Sequence, residues 1–286
     1  MKQQARRSGR QKPTAIVVGT DFSSASADAM ARATDIARET GATLHVVHAS
    51  RRFPAVIART AGLEDESAIA RTLDGFSAKI RAAGARARTH HVRGGAMSDL
   101  RTTCREVGAS LVVVGARGRT VPNATIGSTA ERMAAAGEAP VLLVRRRVTG
   151  PYREVVIAAD AATDLTATAN AARLVAPDAR VSVLHAYATP FEPRLQLQSV
   201  GAATIQSYRR QTRREAHEAM APLVEKAGLD ASFLVLRHGD ARRVLLGVDK
   251  RALLVIHRSR SLMRHALVGS VSRWVIAYGT SDILLV

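Results

Sequence analysis

The runs LVVVGARGRTVPNATIGST (residues 111–129) and LLVIHRSRSLMRHALVGSV (253–271) each open on four apolar residues and reach a Gly-Ser pair at the same spacing. In the second run His257 and Arg260 stand where Gly115 and Gly118 stand in the first. The offset of 142 also aligns VLLV (141–144) with ILLV (283–286), and at similar offsets VVGTD matches IAAD and ATLHVVHA matches ARVSVLHA. The chain is therefore read as a tandem duplication.

Each copy alternates short apolar runs with helix-length amphipathic segments. In the first copy AIVVG (15–19) leads into SSASADAMARATDIARETG, which Ser23 or Ser24 can cap and Gly41 can end. There follow TLHVVHA, a helix that opens on Glu64, Asp65 and Glu66, the strand ARTHHVR and the helix SDLRTTCREVG. SLVVVG, the glycine loop, a helix from Gly127 to about Gly137 and VLLVR complete the copy. The second copy runs alike, with a helix to Val175, a long helix from about Ile205 to Ala227, one from Asp240 and one from Gly269. This β-α alternation implies parallel strands, right-handed crossovers and helices on both sheet faces. The expected fold is α/β, two tandem doubly wound five-stranded parallel-sheet domains over residues 13–148 and 152–286. The join falls in RRRVTGPYRE, and a basic disordered tail covers residues 1–12.

Composition agrees with buried strands under Ala-rich helices: aromatics are 3% of the 286 residues while hydrophobic residues reach 47%. The single cysteine, Cys104, excludes an intrachain disulfide and reads as a small core or half-buried thiol, in keeping with a reducing cytoplasm. The apolar run after the basic N-terminus meets Asp21 too soon for a signal-peptide core, and a membrane helix is not expected. The net charge of +18 invites a nucleic-acid reading. Its distribution argues otherwise: residues 1–148 carry 24 basic and 12 acidic side chains, residues 149–286 carry 18 and 12, and residues 1–12 alone hold five basic ones. A solvated basic surface is the favoured reading.

In an open parallel sheet ligands sit beyond the carboxyl ends of strands where strand order reverses. Asp21, ending strand one, and the loop after strand four should face each other there. Gly115 and Gly118 permit close backbone approach, and Gly127, Ser128 and Thr129 open a helix whose free N–H groups favour an anion. Arg117 and Arg119 add cationic donors, so the loop reads as a polyphosphate cradle. Asp21 can accept from a ribose hydroxyl or an adenine amino group; alternatively TDFSS is a helix-capping segment.

G-x-x-G, eight further residues and G-S-T, with an Asp ending the first strand and two five-strand halves, resembles the universal stress proteins in tandem form. That resemblance implies a Rossmann-like or flavodoxin-like strand order of 3-2-1-4-5, binding of ATP, AMP or a related adenine nucleotide, with or without Mg2+, and pairing of domains through the last strand. Carried over, Gly19, Thr20, Asp21 and Ala49 would lie by the nucleoside, and Val114, Gly115, Arg117, Gly118, Arg119, Gly127, Ser128 and Thr129 would form the phosphate loop. Gly94 in VRGG matches a glycine the family often has after strand three; its plainer role is a turn. The family usually spaces the second and third glycines by nine residues, whereas here there are eight with Pro122 among them, which implies a tighter loop.

In the second copy Asp160, Gly269 and Ser270 persist, but His257 and Arg260 put bulk where backbone should touch phosphate, which makes it a degenerate site without nucleotide. As an alternative, His257, Arg258 and Arg260 form a side-chain anion site. No G-x-S-x-G elbow is present. His45 and His48 point to opposite faces of one strand, and His90 and His91 alternate likewise, so no metal pattern emerges. The trio Glu64, Asp65 and Glu66 suits a helix start better than paired-carboxylate catalysis. No general base stands out, so the expectation is a binder or sensor with at most slow, incidental ATP hydrolysis. A ligand-free interaction scaffold and a charge-driven nucleic-acid binder are the rival readings. The terminal strands would otherwise leave bare edges, so pairing between halves, or between chains in a homodimer, is expected.

Overall fold

A computed structural model describes residues 14–50, 66–116, 132–133, 139–258 and 270–286. The first half contributes β1 (Ala15–Thr20), α1 (Ser24–Thr40), β2 (Thr43–Ser50), α2 (Glu66–Ala82), β3 (Arg86–Arg93), α3 (Ala96–Glu106), β4 (Leu111–Gly115) and β5 (Val141–Val144). The second contributes β6 (Glu154–Ala158), α4 (Leu165–Val175), β7 (Arg180–Tyr187), α5 (Glu192–Leu197), α6 (Ala202–Lys226), β8 (Leu234–His238), α7 (Ala241–Leu246), β9 (Leu253–Ile256), α8 (Ser270–Tyr278) and β10 (Asp282–Leu285). The expected helix over 127–137 lies outside the described residues, apart from Arg132 and Met133.

The strands form a single ten-stranded sheet in the order β3-β2-β1-β4-β5-β10-β9-β6-β7-β8. The first five therefore read 3-2-1-4-5, and the last five repeat that order when read inward from β8. Neighbours within each half are parallel. At the centre β5 and β10 run antiparallel, with Leu143 opposite Ile283 and Val141 opposite Leu285. Both strands are buried along their length and, apart from Asp282 at the start of β10, apolar, the composition of strands covered on both faces.

Period-two alternation sorts the strand residues between two layers. Ile16, Val18, Leu44, Val46, Val155 and Ile157 pack under α1, α2, α4 and α6. Val17, Val47, Val112, Val114, Leu143 and Leu254 pack under α3, α7 and α8. Cys104 is fully inside this second layer rather than half-exposed. Each fully buried aliphatic side chain of this kind contributes about 1.5–3 kcal/mol.

Local signals set the helix ends. Ser23 accepts from the Ser26 N–H and opens α1, while Gly41, at φ 74°, donates its own N–H to Ala37 and closes it. Asp164 and Asp240 cap α4 and α7 in the same way.

A buried polar cluster ties the halves together beside the central strands. Tyr152 donates to Asp282 Oδ2 at 2.6 Å, and the Arg145 backbone N–H donates to Asp282 Oδ1 at 2.8 Å. Arg32 of α1, itself only 6% exposed, donates to the Gly150 carbonyl at 2.7 Å and lies over the Tyr152 ring at 3.9 Å. Burial, then the Asp282 carboxylate, pushes the Tyr152 hydroxyl well above its ordinary range, and Arg32 opposes that shift.

Candidate functional site

Strand order reverses between β1, whose chain continues outward through β2, and β4, which leads the other way. β1 and β4 are adjacent, with Val18 opposite Val113, so Asp21 and Gly115 emerge side by side at the carboxyl ends of neighbouring strands. A half-buried carboxylate and the start of the glycine loop thus share one crevice. The rest of that loop, including Arg117, Gly118, Arg119, Gly127, Ser128 and Thr129, lies outside the described residues.

The turn leaving β1 is built from its own side chains. Asp21 Oδ1 accepts from the Ser23 N–H at 3.0 Å, which is the capping role open to it from sequence. Thr20 is buried; its hydroxyl lies 3.1 Å from Ser26 Oγ and accepts from the Phe22 N–H at 3.1 Å. Phe22 takes a left-handed φ of 61°, uncommon for an aromatic residue, and stacks on the His48 ring at 4.1 Å. His48 Nδ1 in turn lies 2.9 Å from the Thr20 carbonyl. Gly19 sits beneath the Leu100 side chain, and Ala49, half-buried, follows His48 as the last residue but one of β2. Val114 is a core residue of the second layer. Gly94 follows β3 and donates its N–H to the Ser50 carbonyl at 3.0 Å.

Gly115 has a requirement within the chain that sequence did not disclose. A Cβ there would lie 2.7 Å from the Ala25 carbonyl oxygen and 2.9 Å from its carbon, so β4 runs against the bare backbone of the first turn of α1. The second half has a different loop at the corresponding place. His257 follows β9, half-buried, at the position of Gly115, while four residues separate Asp160 from Leu165 where only two separate Asp21 from Ser24. Asp160 is exposed and turned back on its own loop, accepting from the Ala162 N–H at 3.0 Å and the Thr163 hydroxyl at 2.8 Å. Arg258 donates its backbone N–H to Val286 and its guanidinium to the Ala139 carbonyl, across to the other half. Ser270 is exposed and opens α8; Arg260 and Gly269 are outside the described residues.

The histidines of β2 and β3 meet across the strands, which alternation along each strand alone does not reveal. His45 Nδ1 lies 2.9 Å from His90 Nε2, and on the opposite face His48 stacks toward His91, whose Nε2 is 3.0 Å from Ser50 Oγ. Burial, then His90 and Arg88, lowers the pKa of His45. Burial likewise lowers that of His90, against Glu106 and with Arg88. Knowledge of the β2–β3 register, Val47 opposite His90 and His48 opposite His91, is the signal that would have found both pairs. Among the described residues no group of three or more His, Cys, Asp or Glu side chains could hold a metal ion, and no helix is long and apolar enough to cross a membrane.

The fold and its crevice define a doubly wound α/β protein whose candidate site lies at the reversal of strand order. Residues 13–145 match the model described as the universal stress protein family, and these residues belong to that family. Among the solved structures that follow nearly the whole chain are these two. One is a functionally unknown protein from Pseudomonas aeruginosa PAO1, 16% identical, with 97% of this chain and 93% of that one covered and a TM-score of 0.66. The other is a universal stress protein from Archaeoglobus fulgidus, 15% identical, with 96% of each chain covered and a TM-score of 0.65. At that identity the likeness establishes the fold. No curated protein matches the chain.

Proposed function

We propose that residues 13–148 bind one adenine nucleotide, ATP or AMP, and that the chain serves as a sensor or regulator in a stress response rather than as an enzyme. The observation that carries this reading is the adjacency of Asp21 and Gly115 at the carboxyl ends of β1 and β4. A nucleoside placed between them has the half-buried Asp21 carboxylate as acceptor for a ribose hydroxyl or adenine amino group, with Ala49 beside the base. The donor set suits the group: the chain beyond Gly115 supplies Gly118, Gly127, Ser128, Thr129, Arg117 and Arg119, and Mg2+ would accompany a triphosphate. Residues 152–286 act as a pseudo-symmetric partner without nucleotide, because Asp160 is spent on its own loop and His257 replaces the glycine. The compartment is the cytoplasm.

Calorimetric titration with ATP and AMP tests the reading. One site per chain is expected, with affinity reduced about tenfold or more in Asp21→Ala, since a hydrogen bond from the nucleoside to a charged acceptor is lost. Unchanged affinity in that variant removes Asp21 from the site. A nucleotide that binds must also raise the melting temperature, by an amount that grows with the logarithm of its concentration above Kd.

A further inference from the structure

The second half carries a basic cleft that plays no part in the crevice described above. α6 spans 25 residues, about 37 Å at 1.5 Å per residue, whereas the five residues of β8 span about 17 Å. Its buried side chains, Met220 and Val224, both lie near its C-terminal end. Upstream, Arg210, Arg213, Arg214 and His217 recur at i, i+3, i+4 and i+7 and so share one helix face. On a helix laid against a sheet that is the face normally given to apolar residues. Here it borders a cleft of about 570 Å³ whose other wall is Leu234 and Leu236 of β8. Glu218 also lines the cleft.

Three features fix the chemistry of an occupant. The arginines are exposed, and among the described residues Arg210, Arg213, Arg214 and His217 make no ion pair or side-chain hydrogen bond; the neighbouring Arg209 is the one held by Glu192. Leu234 and Leu236, two apart on one strand, form a half-buried apolar strip. Among the described residues β8 is also the last strand of the sheet, so on its outer side every second residue turns N–H and C=O groups away from β7 and no described strand receives them.

We propose that this cleft binds an extended acidic peptide segment of a partner protein, which adds to the free edge of β8 as an eleventh strand. Its carboxylates point to the α6 side, passing over Leu234 and Leu236 to the arginine face, and its alternate apolar side chains fall on the opposite face of the sheet, beside Val235. Nucleic acid fits less well. No Phe, Tyr or Trp side chain lines the cleft for base stacking, and outward main-chain groups at strand spacing match another peptide backbone.

The test uses the full chain and fluorescence anisotropy with a labelled, end-capped peptide of alternating Glu and Val. Comparison probes are the same peptide methylated on every second amide nitrogen, a single-stranded oligodeoxynucleotide of equal charge, and phosphatidylglycerol vesicles. The unmodified peptide is expected to bind, and the double variant Arg213→Glu/Arg214→Glu to weaken it about tenfold or more; both positions are exposed, and circular dichroism checks that the fold is kept. N-methylation is expected to weaken binding by about as much, because it removes ladder donors while leaving charge in place. Equal binding of the methylated peptide, insensitivity to the charge reversal, or displacement of the peptide by oligonucleotide or vesicles at lower concentration would each overturn the proposal.

Discussion

At the residue scale Gly115 is held by packing within the chain, whatever the crevice binds. Gly115→Ala places a methyl group against the Ala25 carbonyl, and overpacking of backbone against backbone is expected to cost about 1–3 kcal/mol in urea denaturation. The aligned change His257→Gly relieves no such contact and should cost less than Gly115→Ala. The His45–His90 pair yields a pH dependence. Both pKa values are lowered from 6.5 on folding, so the unfolded chain takes up protons first as pH falls. The contribution of the pair to stability is therefore intact above about 6.5 and is lost as pH falls through the lower folded values. The decline in unfolding free energy below pH 6.5 should be shallower in His90→Leu; identical slopes would show that the pair is not its source. Sequence displayed these histidines and their alternation but not their partners, because a cross-strand contact depends on register, which no residue on either strand encodes by itself.

Among the elements, those with local punctuation were legible. Ser23 and Gly41 mark the ends of α1 as its caps show, and the long helix through Pro222 was expected from about Ile205. It begins instead at Ala202, behind Gly201, which offers no side-chain cap to read. The six-residue α5 was not anticipated. Too short for a periodic pattern, it depends on tertiary bonds: Glu192 accepts from Arg209 and Thr189, which hold its carboxyl down to about 2. Breaking that carboxylate with Glu192→Gln should raise amide exchange across α5 and the first turns of α6 while leaving β7 protected. The pairing of β5 with β10 rests on two apolar tetrads visible in the sequence, but the polar cluster at their side was not, since Arg32, the Gly150–Tyr152 stretch and Asp282 are distant from one another in the chain. Tyr152→Phe leaves a buried Asp282 oxygen without its donor and is expected to cost about 1–3 kcal/mol. A double-mutant cycle with Asp282→Leu should recover much of that as coupling.

For the molecule as a whole, duplication and divergence are written in the same two loops. The strand order is repeated, yet the crevice is not: the turn after β6 is three residues longer than that after β1, Asp160 closes on itself, and a histidine stands in place of Gly115. The asymmetry predicts one nucleotide per chain. Native mass spectrometry of the purified protein, with ATP or AMP added to saturation, measures this most directly. The account predicts a single bound adenine nucleotide, absent in Gly118→Arg, which copies Arg260 of the second half. Two nucleotides per chain, none at saturation, or one retained in Gly118→Arg would contradict it.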